Sequence, residues 1–152
     1  MNTLNNEDEI TKIIFKEFEI LTNKRIEIQD ITNSVAKIVE ESYIKNGQVH
    51  LWVPHTTAAI TVNENDKTLW DDIVEFFEHL APINSNYHHN AKYNWTASEQ
   101  NAHAHILNCL IKSSVIVPLK NGKMQLGTWQ SILFIEMDGS RVRQVQVQVI
   151  GE

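Results

Sequence analysis

The sequence predicts an α+β domain, a mainly antiparallel sheet packed by two or three helices. Three observations lead there. Apolar residues alternate near both ends of the chain, at 12–20 and 145–149. Between them a wide apolar stripe, Leu69, Trp70, Ile73, Phe76, Phe77 and Leu80, recurs with the period of a helix. In the last third Asn121-Gly122 and Asp138-Gly139 separate apolar segments, and such dipeptides make the tight hairpins that join antiparallel strands. The 152 residues suit one domain, 11–152, behind a polar leader, 1–10.

The elements follow in order. Residues 12–20 read as a strand, with Ile14, Lys16, Phe18 and Ile20 on one face. Residues 30–41 read as a helix capped by Asp30, its apolar positions being Ile31, Val35, Ile38 and Val39. Strand returns at 47–53, where Val49, Leu51 and Val53 alternate with Gln48, His50 and Trp52, and again at 58–62. The helix over 66–80 buries its aromatic stripe and is stopped by Pro82. Residues 83–100 have no period, and a loop this long inside a compact domain is often functional. A further helix starts near Ala104 and buries Ile106, Leu107, Leu110 and Ile111, with Cys109 as inert core. Residues 115–119 form a strand. Residues 125–137 form another, apolar enough to be buried on both faces. In the last strand Val142 breaks the parity of Val145, Val147 and Val149. Either it faces the other way or a bulge lies near Arg143-Gln144.

Composition narrows the function. A net charge of −6 and the lack of any Lys/Arg run argue against nucleic acid. No apolar run approaches the ~20 residues of a membrane span. One cysteine permits no internal disulfide and suits a reducing, cytoplasmic setting. Phosphate-loop, dinucleotide and nucleophile-elbow motifs are absent.

What remains is a set of chemically able side chains. His55 opens a turn rich in hydroxyls, Thr56 and Thr57, and His88, His89, His103 and His105 lie in or beside the long loop. Neutral imidazoles ligate zinc and similar metals. His103 and His105 both reach one ion only from extended backbone, because two residues apart on a helix they point ~200° apart. Asn63 and Glu64 precede a helix start. Glu64 reads as a ligand, a general base, or simply a charge complementing the helix dipole. Gly127, Thr128, Trp129 and Gln130 interrupt an apolar segment, as at a bulge, a close ligand approach or a packing glycine. Arg141 and Arg143 read as a phosphate clamp or as a solvated strand face.

The runs HTTAAITVNEN, YHHN, NAHAH, SVIVPLKNG, LGTWQSILFIEMDG and RVRQVQVQVIGE together resemble the YjbQ family over residues 12–152. That resemblance implies an α+β homotrimer with a polar cavity lined by histidines. It also implies a secondary thiamine-phosphate synthase activity, the joining of hydroxymethylpyrimidine diphosphate to thiazole phosphate with release of pyrophosphate. Carried over, His55, His89, His103 and His105 are the family's histidines and Asn63-Glu64 its N-E pair. Gly127, Thr128, Trp129 and Gln130 are its signature. Asn90 and Ala91 stand where the family commonly has an aspartate, and Ser140 where its D-G-P-R turn has proline.

Three readings follow. In the transferase reading His55, Glu64 and His105 are catalytic, and a divalent metal, Zn or Mg, sits on His55, His89, His103 and His105. Thr56, Thr57, Asn63, Thr128, Trp129, Gln130 and Arg141 then bind a small phosphorylated metabolite. The alternatives are a metal-dependent hydrolase of a small metabolite and a non-enzymatic small-molecule or metal-binding trimer.

Overall fold

The structure is a computed structural model that describes residues 10–152. The expected leader, 1–10, lies outside them except for Ile10. Among the described residues eight strands form two antiparallel sheets. The five-stranded sheet runs β1 (Lys12–Leu21), β8 (Val142–Gly151), β3 (Gly47–Trp52), β5 (Ser114–Lys120), β6 (Lys123–Met124). The three-stranded sheet runs β2 (Glu27–Asp30), β7 (Ser131–Glu136), β4 (Ala58–Asn63). The helices are α1 (Thr32–Ser42), α2 (Lys67–Leu80), α3 (His88–Lys92) and α4 (Ala102–Ile111).

Side-chain parity stacks three layers. Val145, Val147 and Val149 of β8 share one core with Val49 and Leu51 of β3, Val35 and Val39 of α1, and Ile132 and Phe134 of β7. The intervening residues of β7, Leu133 and Ile135, point the other way, into a second core with Trp70 and Phe77 of α2 and Ala104 and Leu107 of α4. β7 is therefore buried on both faces, as its apolar run foretold. The strand is shorter than expected, however. Residues 125–130 form a turn, closed by the Gly127 amide donating to Gln130 Oε1 and the Gln130 amide to the Gly127 carbonyl.

Other expectations are corrected by packing. β2 and α3 were not foreseen, being too short to show a period. α4 begins at Ala102 and turns Ala102, His103, Ala104 and Leu107 inward. Ile106 and Leu110 are exposed, and so is Cys109. Small alanines let α4 lie close on the sheet, so the larger apolar residues of that helix face outward. Phe76 likewise points out, unlike Trp70 and Phe77. The last strand has no bulge. Its pairing with β1 runs unbroken from Leu21 opposite Val142 to Lys12 opposite Gly151. Val142 faces solvent, and Arg143 takes the inward parity of the valines. Asp30 is not the N-cap of α1: that position is Ile31, without a side-chain cap bond, and Asp30 Oδ1 accepts from the Thr32 amide one residue further out. Asp66 does cap α2, accepting from Thr68 and Leu69.

Candidate functional site

The residues that carry chemistry gather at one end of the sandwich, where Ala58 pairs with Glu136. Arg143, facing inward from β8, meets Glu136 in a buried two-point ion pair, Nε to Oε2 at 2.7 Å and Nη2 to Oε1 at 2.6 Å. The Glu136 carboxylate also accepts from Thr22 Oγ1 and from the amides of Met137 and Asp138. Five hydrogen bonds leave it fully satisfied, which is what tolerates a charge with no solvent exposure. Arg143 Nη2 further donates to Thr57 Oγ1 at 2.9 Å. Arg143 is thus neither a solvated face nor a phosphate clamp.

This pair shapes the next turn. The amide of Asp138 hangs on Glu136, and the amide of Gly139 donates to the Arg25 carbonyl. A Cβ on Gly139 would stand 2.1 Å from the Lys24 carbonyl oxygen, so only glycine lets these two backbone segments meet. Asp138, almost wholly buried, then lies between two guanidiniums. Arg25 Nη2 is 3.1 Å from Oδ1, and Arg141 Nη2 is 2.8 Å from Oδ2. Asn101 Nδ2 also donates to Oδ2. Arg141 Nη2 reaches on to the Ser98 carbonyl, tying this turn to the long loop.

The histidines divide by geometry. His55 Nε2 accepts from the Gln144 amide at 2.9 Å. A ring nitrogen that accepts is unprotonated, so the proton of neutral His55 sits on Nδ1. Burial, and then the Arg143 charge, hold its pKa below the usual histidine value. His103 and His105 occupy the helix itself and point apart, as their spacing requires on a helix. His103 is fully buried and its Nε2 donates to the Met137 carbonyl at 3.0 Å. Burial, then Arg25, push its pKa down. His105 faces the other way and lies tilted against His89, ring centroids 4.9 Å apart at an interplanar angle of 49°. Burial, then the neighbouring His89, lower its pKa too. Tyr93 also lies against His89, centroids 5.1 Å apart.

The expected metal set, His55, His89, His103 and His105, does not converge. The Nε2 lone pair of His55 is taken by a backbone amide, and Nε2 of His103 serves a carbonyl on the opposite side of α4 from His105. Among the described residues no group of three or more His, Cys, Asp or Glu is placed to hold an ion. Only His89 and His105 stand together. The residues present do not fit the expected four-histidine centre.

The expected substrate set splits as well. Thr56, Thr57 and Arg141 lie at the histidine end. Asn63, Glu64, Thr128, Trp129 and Gln130 lie at the other, where Asn63 pairs with Ser131. At ~3.4 Å per residue the six paired positions put the two ends roughly 17 Å apart. Glu64 lends its carbonyl to Trp70 Nε1 and takes its own amide bond to Asn63 Oδ1. Trp129 is 73% exposed, and a Cβ at Gly127 would meet Gln130 Oε1 only at 3.4 Å. That glycine is neither a packing necessity nor a strand bulge. Asn90, one of the two positions where the resemblance implies an aspartate, holds the start of a helix. Its Oδ1 accepts from Ala102, the first amide of α4.

Comparison with known proteins adds the lineage. The family described as UPF0047 protein YjbQ-like matches residues 16–152. The chain belongs to that family. A UPF0047 protein of Methanocaldococcus jannaschii is 43% identical, over 94% of this chain and 98% of that protein. The UPF0047 protein YugU of Bacillus subtilis is 35% identical, over 91% and 100%. A crystal structure of a YjbQ-like protein of unknown function from Sulfolobus solfataricus superposes with a TM-score of 0.86 at 35% identity, covering 94% and 100%. A hypothetical protein of Aeropyrum pernix gives a TM-score of 0.86 at 39% identity, covering 91% and 99%. These relatives carry UPF0047, YjbQ-like, hypothetical or unknown-function names, with no thiamine-phosphate synthase among them. The expected thiamine-phosphate synthase activity is therefore corrected. The geometry agrees, since the groups assigned to the substrate are divided between the two ends of the three-stranded sheet and the histidines assigned to a metal do not converge.

Sequence reasoning overlooked Arg25, Thr22, Glu136, Asp138 and Asn101. Two of these left a signal. Glu136 is a carboxylate inside the apolar run 132–137, which demands a buried partner. Arg143 has the parity of the core valines, which supplies one.

Proposed function

We propose that this UPF0047 protein is a cytoplasmic enzyme that binds a small phosphorylated metabolite at the histidine end and moves a proton to or from it. The observation that carries this reading is the close pair His89–His105. Two imidazoles this close do not both take a proton readily, so near neutral pH His105 is available as a base. Arg25 and Arg141 share one carboxylate, Asp138, Arg143 is neutralised by Glu136, and Glu99 also acts on His105. The proposal's contact for an anion is Arg141, 40% exposed at the side chain beside the buried Asp138.

The working unit of the proposal is a homotrimer. The outer face of the five-stranded sheet supports association. Phe15, Gln148, His50 and Ile116 stand in one row across four strands, beside Ile13, Ile150, Gln146 and Trp52. Phe15, Ile116, Ile13 and Trp52 are 55%, 59%, 62% and 44% exposed, and those eight positions carry no carboxylate, lysine or arginine. Five of the eight are apolar, with Glu17 beside them opposite Gln146, and an apolar patch of this kind marks an interaction surface.

A thermal-shift panel of phosphorylated metabolites tests the binding. The expected result is at least one compound that raises Tm in the parent protein and not in His105→Gln, with its turnover seen by phosphorus NMR. A panel in which His105→Gln responds like the parent would overturn the assignment. Sedimentation of the parent and of Ile116→Lys tests the trimer, and a monomeric parent would remove it.

A further inference from the structure

We infer that a second site, separate from the histidine pair, binds a hydroxylated oxyanion about the size of a single sugar. Its place is an open cavity of about 760 Å³ between Arg25 and the loop 83–100. That volume lies within the usual range for small-molecule sites. His88 lines it, whereas His89, the next residue, turns to the histidine pair, so α3 separates the two sites.

The lining has one character. Asn84, Asn86, Asn94 and Ser85 bring amides and a hydroxyl, and Arg25 brings the charge. Among the described residues lining the cavity none is acidic. This is unusual in a chain of net charge −6, whose carboxylates outnumber its lysines and arginines. Donor-rich walls with a single cation select a ligand that is rich in acceptors and carries one anionic group.

Arg25 is equipped for that group. Both of its contacts, to the Gln100 carbonyl at 2.8 Å and to Asp138 at 3.1 Å, use Nη2. Nε is buried and without a hydrogen bond, so the donor left for a ligand is Nη1, which neither contact engages. From there the guanidinium gives a phosphate or carboxylate a charge-assisted hydrogen bond. Asp138 does not cancel this charge, because it is shared with Arg141. Asn90 Oδ1 is spent on the Ala102 amide, which leaves that side chain its amide donor. The Tyr87 hydroxyl is held by the Pro82 carbonyl, which fixes the ring as a flat wall beside Ile83. Flat aromatic walls suit the C–H face of a sugar, and the amides suit its hydroxyls. The shared ligand chemistry is an oxyanion on a polyol skeleton, either a sugar phosphate or a sugar acid.

Titration calorimetry with glucose 6-phosphate, gluconate and neutral glucose tests this, together with the side-chain amide NMR signals of the cavity asparagines. At least one anion should bind saturably and about tenfold or more tighter than glucose, since a charge-assisted contact is worth that factor. The signals of Asn84, Asn86 and Asn94 should move. Asn86→Asp, which leaves the Arg25–Asp138 pair intact, should weaken binding by about tenfold or more through like-charge repulsion. His105→Gln, which tests the proposed catalytic pair, should leave it unchanged. Which anion binds names the source, phosphate or carboxylate. Equal affinity for glucose, no saturable binding of either anion, or signals that move at the histidines and not at the cavity amides would overturn the inference.

Discussion

Replacing Arg143 by methionine isolates the buried ion pair. Glu136 has no solvent exposure and accepts five hydrogen bonds, of which Arg143 supplies two. Without the guanidinium a carboxylate is left in the interior on two backbone amides and one threonine hydroxyl. Breaking a buried pair from one side typically costs about 3–5 kcal/mol. With a urea m-value of ~2 kcal/mol/M for a domain of this size, the midpoint should fall by roughly 1.5–2.5 M. Arg143→Met with Glu136→Gln should recover about 2 kcal/mol or more, because the amide keeps an acceptor for the Met137 and Asp138 amides while the charge is gone. The stranded carboxylate of Arg143→Met should take up a proton on folding, so its deficit relative to the parent should shrink as pH falls. Urea unfolding at a fixed protein concentration, with all three chains at pH 7 and pH 5.5, is the assay. A cost for Arg143→Met under about 1 kcal/mol, or no recovery in the double variant, would refute the account of Glu136 as a charge that depends on Arg143.

Three further outcomes follow from the same structure. The folded-state pKa values of His55, His103 and His105 lie below the free histidine value, chiefly through burial. The unfolded chain therefore binds more protons below about pH 6.5, and stability should be full above that pH and fall beneath it. The slope should be up to ~1.4 kcal/mol per pH unit for each histidine, read from urea midpoints between pH 7.5 and 5, and a flat profile there would contradict the buried neutral rings. Gly139→Ala forces a Cβ against the Lys24 carbonyl oxygen 2.1 Å away; it should cost about 1–3 kcal/mol or more, a fall of roughly 3–10 °C in Tm by calorimetry. Asn90→Ala removes the acceptor for the Ala102 amide and should cost ~1 kcal/mol in thermal unfolding, while Asn90→Asp, which keeps an acceptor, should cost much less.

Much of the fold was legible because burial imposes a period. The alternation of β3 and β8, the stripe of α2, the hairpin at Asn121-Gly122 and the double-sided burial of β7 are each written in apolar spacing. What misled was size. Ile106 and Leu110 are large and apolar, yet α4 presents Ala102, Ala104 and Leu107 to the sheet. The helix must approach closely there, and its outward residues answer to whatever covers them. β2 and α3 span four and five residues, too short for any period to declare itself.

The site was legible as an inventory and not as an arrangement. His55, His89, His105 and Arg141 were found by residue type, and of these His89 and His105 stand together. Asn63, Glu64 and the Thr128-Trp129-Gln130 turn were grouped with them, although β7 carries them to the far end of the sheet. The sequence by itself determined the α+β class and the inward faces of β3 and of the valines of β8, since both follow from where apolar side chains must avoid water. Only the tertiary structure decided which polar groups meet. Arg25 finds Asp138 across more than a hundred residues, His55 takes its proton on Nδ1 because the Gln144 amide occupies Nε2, and α4 parts His103 from His105. Those outcomes depend on strand order and on one helix starting at Ala102, and neither leaves a local mark on the chain.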